Sequence, residues 1–327
     1  MKIIAFLKEW TLPVAICVGT ASYLTFNYVS ALDDLGNTLA PVFDVIFPLF
    51  VFLTLFITFC KVDFHQMRPH RWHTGILIAQ LLLVALNISV ILWMEDIPLT
   101  SQSSPLTSKL LWEAVLTCII GPAASAAPVV TGKLGGNIST MTTYVLISSL
   151  FSSVLIPFVF PMLEPATGVT FIRAFLMILE KVSIVLLLPL VLGWIMQHYV
   201  KRPCAWIASK PNLSFYCWAI SLSITTGITV KNIVHSDATL ILLLAIAGIT
   251  FVLCFLQFAI GRLVGRHLGE EINAGQALFQ KNTALSIWVA YMYLHPVASI
   301  GAGCYVLWQN IINSLELWQY RRKMEEG

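Results

Sequence analysis

The segment from Glu271 to Leu294 reads EINAGQALFQKNTALSIWVAYMYL and decides how the chain is interpreted. It is mostly apolar, but its centre carries a polar island, Gln280-Lys281-Asn282, with Gln276 one helical turn earlier. An ammonium at bilayer depth costs about 2.5–3.5 kcal/mol on insertion scales, so membrane helices keep one chiefly where it faces a cavity, a partner or a substrate. Two interpretations of Lys281 follow. It works at a functional site, or it pairs with a buried carboxylate that locks two helices.

The composition of the whole chain supports a membrane location for this segment. Hydrophobic residues make up 58% of the chain and charged residues 11%, with a mean hydropathy of +0.83. Soluble domains are typically about 25% charged. Apolar stretches of about 20 residues, long enough to cross a hydrocarbon core as helices, recur along the chain. We predict ten spans, at residues 10–29, 40–60, 72–93, 110–134, 138–163, 182–200, 213–230, 238–264, 271–294 and 296–318.

The basic residues orient these spans, since cytoplasmic loops carry an excess of Lys and Arg. With both termini in the cytoplasm, only four basic residues fall outside, and Lys281 lies within the membrane. The four are Lys109, Arg173, Lys181 and Lys231. The cytoplasmic ones are Lys2, Lys8, Lys61, Arg68, Arg71, Lys133, Lys201, Arg202, Lys210, Arg262, Arg266, Arg321, Arg322 and Lys323. The net charge of +3 therefore reflects topology, and nothing in the sequence indicates nucleic-acid binding.

Ten spans divide into two five-span halves, residues 1–165 and 166–327, which we expect to be inverted repeats. Short mixed segments before each half, Met1 to Glu9 and Phe171 to Lys181, are typical of helices lying at the membrane interface. The fourth span contains Gly121-Pro-Ala-Ala-Ser-Ala-Ala-Pro128, whose two prolines break a helix. Broken backbone is tolerated at depth only where protein or a cavity surrounds it. Interrupted helices at matching places, the fourth and the ninth, point to a transport site. Taken alone, the fourth-span motif is explained equally well by a simple kink for close packing.

Several short motifs give the chain a resemblance to a known family. They are Ala79-Gln80 in the third span, Cys118 with Gly121-Pro122 in the fourth, the turn Leu134-Gly135-Gly136-Asn137, Leu188-Pro189-Leu190-Val191-Leu192-Gly193 in the sixth, and Gln280 in the ninth. In this order and at these spans, the motifs resemble the bile acid:sodium symporter superfamily in its bacterial ten-helix form, over nearly the whole chain.

The resemblance implies an all-α membrane fold of two inverted five-helix repeats. Helices 1, 2, 6 and 7 would form a panel, and helices 3, 4, 5, 8, 9 and 10 a core. Helices 4 and 9 would be unwound where they cross, with cation sites behind the crossing. A small organic anion would bind between core and panel. The implied location is the bacterial inner membrane, with the lipid bilayer as surroundings and no prediction of oligomeric state.

The departures from the family pattern concern the sodium ligands. The resemblance implies a first sodium site made by a Ser-Asn pair in helix 4, hydroxyls in helix 5 and a glutamate in helix 9. This chain has Ala127-Pro128 for the pair, Met141 and Val145 in helix 5, and Gln276 for the glutamate. Sodium needs hard oxygen ligands, which most of these side chains lack. We predict that the first site is lost.

The second sodium site of the family uses glutamines of helices 3 and 9, retained here as Gln80 and Gln280, together with the missing glutamate. The residue after Gln280, asparagine in the family, is Lys281. We therefore expect transport without sodium, in which Lys281 either stays protonated and replaces the coupling cation or acts as the proton-coupling group. The predicted substrate- and ion-binding residues are Gln80, Pro122, Ser125, Pro128, Gln276, Gln280, Lys281 and Asn282.

Two alternatives stay open at this point. One is a sodium-coupled symporter that uses a residual site at Gln80 and Gln280. The other is a membrane sensor on the same fold that binds but does not transport. We expect no intramembrane enzyme, because Ser125 has no histidine within a neighbouring span to activate it. The seven cysteines show no metal-binding spacing, and no cofactor is expected beyond Na⁺ or H⁺ as coupling ion.

Overall fold

The structure is a computed structural model that describes residues 11–62, 67–95, 105–164, 168–210, 213–236 and 238–326. The described residues are almost wholly helical and form no β-strand beyond one isolated bridge. Two short 3-10 turns, Ser30–Leu32 and Pro296–Ala298, also occur. The α-helices are α1 (Thr11–Tyr28), α2 (Asp33–Lys61), α3 (Arg71–Glu95), α4 (Pro105–Ile120), α5 (Ala127–Lys133), α6 (Ile138–Leu163), α7 (Phe171–Tyr199), α8 (Lys201–Ala208), α9 (Leu213–Val234), α10 (Leu240–Leu268), α11 (Glu271–Phe279), α12 (Thr283–Tyr293) and α13 (Ser299–Glu326).

Five of the described helices are long and apolar enough to cross a membrane. These spans are Asp34–Lys61, Arg71–Met94, Ile138–Leu163, Phe171–Tyr199 and Leu240–Leu268. Each has at least 24 residues, whereas about 20 suffice for a hydrocarbon core. The protein therefore has the architecture of an all-α membrane protein, as the composition predicts.

The helices form two compact units. Unit 1 takes one segment from each predicted half of the chain, whereas the first segment of unit 2 crosses the predicted boundary at residue 165. Unit 1 comprises Met1–Lys61 and Ile184–Ser236, and unit 2 comprises Val62–Ser183 and Asp237–Gly327. The inverted repeat divided at residue 165, and the panel and the core, stay predictions.

Unit 1 is held together by close packing of α9 against α1 and α2. Gly19 of α1 lies against the backbone of α9, where a Cβ atom would stand 2.1 Å from the carbonyl oxygen of Ser223. Without a hydrophobic effect inside lipid, such contacts through small residues are a main source of helix association.

Unit 2 contains both interrupted spans. The fourth predicted span is split into α4 and α5 by residues 121–126, and the ninth into α11 and α12 by residues 280–282. Pro122 lies in the first connection. Pro128 instead lies in the first turn of α5, where a missing N–H leaves no helical hydrogen bond unmade. Only one of the two prolines therefore stands in the break itself, which corrects the expectation that both break the helix.

The two predicted interfacial segments have different outcomes. Phe171 to Lys181 forms the first eleven residues of one continuous helix, α7, of 29 residues. The prediction of a separate interfacial helix there is wrong, because no proline or glycine interrupts the chain between residues 171 and 188. Met1 to Glu9, with the N-terminal lysines, lies outside the described residues.

Substitution of Gly301 tests the packing of unit 2. A Cβ atom at Gly301 of α13 would lie 2.3 Å from the carbonyl oxygen of Ala114 in α4. We expect Gly301→Ala to lower the free energy of unfolding by about 1–3 kcal/mol, because the two helices must separate. Gly248→Ala is the matched control, since nothing lies within 4 Å of a Cβ atom there. Thermal unfolding of both variants in detergent measures the difference, and an equal effect of the two would contradict the packing described.

Candidate functional site

The two helix interruptions meet through their backbones in unit 2. Residues 122–124 and residues 280–282 pair in an antiparallel bridge centred on Ala123 and Lys281. The bridge has two hydrogen bonds: Ala124 N donates to Gln280 O at 2.8 Å, and Asn282 N donates to Pro122 O at 2.9 Å. Each interruption therefore provides hydrogen-bond partners for backbone groups of the other interruption, which have no partner within a helix.

Side chains pair further backbone groups at this crossing. The last carbonyls of a helix have no partner within the helix, and in an apolar interior each unmet group costs several kcal/mol. Gln80 of α3 forms hydrogen bonds with three such carbonyls: its Nε2 donates to the carbonyl oxygens of Ile119, Ile120 and Gly121 at 3.0, 3.2 and 3.1 Å. Further bonds run from Ser152 Oγ to Ile120 O (3.1 Å), from Gln257 Nε2 to Cys118 O (3.3 Å), from Tyr305 Oη to Phe279 O (2.8 Å), and from Ala123 N to Ser148 Oγ (3.1 Å).

Lys281 lies at the centre of the crossing and is 1% exposed. Its Nζ donates to the carbonyl oxygen of Gly121 at 3.3 Å, and its backbone N–H donates to Gln309 Oε1 at 2.8 Å. Within the described residues, no carboxylate lies within 4.0 Å of the ammonium. The interpretation of Lys281 as half of a structural ion pair is therefore not supported by these residues.

The position of the ammonium has an electrostatic reason. Gly121 directly follows the last residue of α4, and the carbonyl end of a helix carries about half a negative charge. The Nζ atom of Lys281 and the Nε2 atom of Gln80 converge on this one carbonyl oxygen. A positive group is stabilised there by the backbone itself, without a carboxylate.

Other predicted site residues surround this centre. Gln80 and Gln280 are buried, and the side-chain oxygen of each has no hydrogen-bond partner among the described residues. Asn282 is partly buried, and its Oδ1 accepts from Leu285 N at 3.2 Å, which caps α12. Ser125 is partly buried in the connection between α4 and α5, four residues beyond Gly121.

The amide nitrogen of Gln276 forms its hydrogen bond outside this centre. Its Nε2 donates to Glu316 Oε2 of α13 at 2.6 Å, and the other oxygen of Glu316 binds the guanidinium of Arg262. Arg262 is also 3.5 Å from Glu271, which pairs with Arg266. These residues form a second polar cluster, joining α10, α11 and α13. The side-chain oxygen of Gln276 is buried and has no hydrogen-bond partner among the described residues, and its assignment to the substrate- and ion-binding site stays a prediction.

The positions assigned to a first sodium site are apolar. Ala127, Met141 and Val145 are fully buried and belong to one hydrophobic cluster with Trp72 and Tyr144. Methyl, thioether and isopropyl groups cannot replace the hydration shell of a hard cation. The described residues also contain no group of three or more His, Cys, Asp or Glu side chains that could hold a metal ion.

Sequence reasoning missed several polar groups that hold the crossing in place. Ser148 and Ser152 lie one turn apart on α6, and the i, i+4 spacing of serines in an apolar helix was a usable signal. Gln257 and Tyr305 hydrogen bond to each other at 2.9 Å across α10 and α13. Nothing in the sequence links them, because they are 48 residues apart.

Comparison with known proteins adds no identification. No family model matches the chain, and no curated protein matches it. The relationship to the bile acid:sodium symporter superfamily therefore stays a prediction from motifs.

Replacing Gln80 tests the role of side chains at the crossing. Gln80→Leu removes the donor shared by three carbonyls, so we expect the free energy of unfolding to fall by about 1–3 kcal/mol. Ser89→Ala is the control on the same helix, since the hydroxyl of Ser89 bonds only to the carbonyl of Ala85 one turn earlier. Chemical or thermal unfolding in detergent gives the comparison. Equal stability of both variants would contradict the role assigned to Gln80.

The second polar cluster gives a double-variant test. Glu316→Gln leaves the guanidinium of Arg262 without its nearest carboxylate, and we expect a loss of about 1–3 kcal/mol, because the pair is partly buried. Arg262→Gln combined with Glu316→Gln should cost less than the sum of the single changes. Arg266→Gln, in an exposed pair, should cost under about 1 kcal/mol. Strictly additive losses in unfolding experiments would mean that Arg262 and Glu316 do not interact.

Proposed function

We propose that the protein is a secondary transporter of small organic anions that works without sodium, because Lys281 supplies the positive charge of the coupling ion. One observation carries the proposal: an ammonium that is fully buried, bound to a helix-end carbonyl, and without a carboxylate in the described part of the chain. A membrane protein keeps such a group chiefly for function.

The surroundings of Lys281 support the role of a tethered cation. Two interrupted helices meet at this point, and ends of half-helices are where membrane carriers place charged ligands. The ammonium lies at the carbonyl end of α4, which is the side that attracts a cation. A protonated amine fixed to the chain would stabilise the crossing without a bound ion.

The apolar cluster around Ala127, Met141 and Val145 supports independence from sodium. These three positions have no oxygen ligands. In the predicted ninth span, Gln276 stands where the resemblance implies a glutamate, so the negative charge of that glutamate is absent. The loss of the ligands and the gain of an internal ammonium fit together. An ammonium beside an intact sodium site would repel the ion.

Two versions of the mechanism share this basis. In one, Lys281 stays protonated through the cycle, and an anionic substrate is attracted to its field. In the other, the Nζ atom of Lys281 releases its proton on one side of the membrane and regains it on the other, which couples anion movement to the proton gradient.

The remaining predicted residues take positioning roles in this proposal. Gln80 orients the Gly121 carbonyl toward the ammonium, and Asn282 caps the helix that follows it. Pro122 prevents α4 from continuing. The groups that would contact the substrate are the side chains of Ser125 and Gln280 and the first turn of α5, which contains Pro128.

The wider organisation belongs to the same proposal. It comprises ten spans in two inverted repeats, a panel and a core, and insertion in a bacterial inner membrane with both termini in the cytoplasm. The distribution of basic residues supports the orientation, with fourteen on the predicted cytoplasmic side and four on the other.

A sodium-coupled symporter is the second candidate, and one observation favours it. The side-chain oxygens of Gln80 and Gln280 are both buried and without partners in the described residues. Amide oxygens are hard ligands that a sodium ion accepts. In this case flux would require sodium, and Lys281 would only stabilise the crossing.

Uptake by proteoliposomes tests the proposal. The purified protein is supplied in turn with a labelled bile acid, a short keto acid and an alkyl sulfonate, with sodium, proton gradient and membrane potential imposed separately. We expect flux without sodium in the wild type and loss of nearly all flux in Lys281→Gln. Lys133→Gln is the control, because it removes the same charge from an exposed position and should keep the wild-type rate.

Three results of this assay would count against the proposal. Flux that strictly requires sodium would favour the second candidate. Normal flux in Lys281→Gln would remove the role of the ammonium. Binding without counterflow in the wild type would indicate a sensor.

A further inference from the structure

We propose that Glu113 of α4 binds the proton that is coupled to anion transport. Three side chains form this proton site: Glu113, Lys109 one turn before it, and Glu164 directly after α6. The inference rests on the proposed function and deepens it, because Lys281 would keep its charge for the anion while Glu113 carries the proton. All of these residues belong to unit 2.

Glu113 places a carboxyl group inside the protein. It lies near the predicted outer end of the fourth span, yet its side chain is 0% exposed. The helices are tightly packed at this level, since a Cβ atom at Gly301 of α13 would lie 2.3 Å from the carbonyl oxygen of Ala114. Ionisable side chains within membrane segments are rare, and in transporters they mark ion pathways and proton relays. The burial of Glu113 therefore points to such a role.

Lys109 stands between two carboxylates. Its Nζ atom is 2.8 Å from Oε1 of Glu164, which is 40% exposed, and 3.9 Å from Oε1 of the buried Glu113. It also donates to the carbonyl oxygen of Leu163 at 3.1 Å. A lysine that served only to hold a buried carboxylate would bind that carboxylate directly, whereas 3.9 Å exceeds hydrogen-bond distance. Lys109 is therefore placed to pair with Glu113 when it is charged and to stay with Glu164 when it is protonated.

Glu113 lies on the face of α4 that leads to Lys281. Positions 109, 113 and 117 follow one another at intervals of four along α4, and Gly121, four residues further, accepts from Lys281 Nζ at 3.3 Å. Thr117 is buried between the two ends, and its Oγ1 donates to the carbonyl of Ala114 at 2.7 Å. Eight residues of helix place Glu113 about 12 Å from the Gly121 position.

This distance couples the proton to the anion. Charges about 12 Å apart inside a protein still interact, because the effective dielectric constant there is well below that of water. A charged Glu113 repels an anion held at Lys281, and a proton bound to Glu113 removes the repulsion. Each ligand therefore strengthens the binding of the other to the same extent. A carrier with this linkage moves proton and anion together.

Other helices complete the surroundings of Glu113. Asn87 of α3 donates from Nδ2 to the carbonyl oxygen of Trp112, the residue before Glu113, at 3.2 Å. The apolar side chains that pack on Leu110 and Ala114 come from α10, from the 3-10 turn and from α13, and they are Leu242, Ile246, Val297 and Ile300. The titratable groups of the elements packed on this end of α4 are Tyr293 at the end of α12, His295 before the turn and Cys304 in α13. The described ion-pair contacts of Glu113 run to Lys109 and, through it, to Glu164.

Infrared difference spectroscopy of the purified full chain tests proton binding without requiring transport. As the pH is lowered, we expect the wild type to gain a C=O band of a protonated carboxyl group that is absent from Glu113→Gln. Glu113→Asp keeps a carboxyl group and should show the band at a shifted frequency, so it gives the same test if Glu113→Gln folds poorly. Glu180→Gln is the matched control, because it removes an exposed carboxylate of the same unit and should leave the band unchanged. Identical spectra of the wild type and the Glu113 variants would overturn the inference.

Proteoliposomes test the coupling, with the labelled bile acid, keto acid or alkyl sulfonate that the wild type carries. An inward proton gradient should drive accumulation of this anion in the wild type and in Glu180→Gln. We expect Glu113→Gln to lose the accumulation and Glu113→Asp to restore it. Accumulation by Glu113→Gln equal to that of the wild type would overturn the coupling role while leaving the proposed function intact. Absence of all flux in the wild type would instead overturn the proposed function and the coupling with it, and the infrared spectra would still decide whether Glu113 binds a proton.

Discussion

Backbone groups that leave a helix inside an apolar protein must find partners, and this constraint shapes unit 2. The chain interrupts two helices, after Ile120 and after Phe279, and pairs the loose ends with each other through residues 122–124 and 280–282. Neither interruption would be stable alone, since each unmet group costs several kcal/mol in such surroundings. The side chains that complete the pairing come from α3, α6, α10 and α13. The packing of these four helices is therefore tied to one short antiparallel contact.

The same contact explains where charge is placed. The helix that ends at Ile120 directs its negative end into the protein. The other segment of the bridge, residues 280–282, places Lys281 at that end. Arg262 and Glu316, which are partly buried, form an ion pair beside Gln276 in the same unit. Arg262 and Glu316 are thus paired with each other, whereas the ammonium of Lys281 has one hydrogen-bond acceptor among the described residues, the backbone carbonyl of Gly121. That difference gives the proposed transport mechanism its physical basis.

The sequence predicts the coarse architecture well, because composition and span length report directly on the surroundings of each helix. It also locates both interruptions, through Pro122 and the polar island at Lys281. It does not reveal contacts between distant elements. The hydrogen bond from the amide of Gln276 to Glu316, 40 residues away, could not be read from the sequence. The sequence alone does not distinguish Pro128 as a helix breaker from a proline in the first turn of a helix, which is its place in the structure. The donors Gln257 and Tyr305 carry no local signature at all.

The central claim is that Lys281 takes the place of a sodium ion. Equilibrium binding of radioactive sodium to the purified wild type, measured by scintillation proximity beside a known sodium symporter, tests it most directly. The account predicts no saturable sodium binding by the wild type, because a positive charge already occupies the helix-end carbonyl. Saturable binding of sodium by the wild type would contradict it and would assign the buried oxygens of Gln80 and Gln280 to the ion.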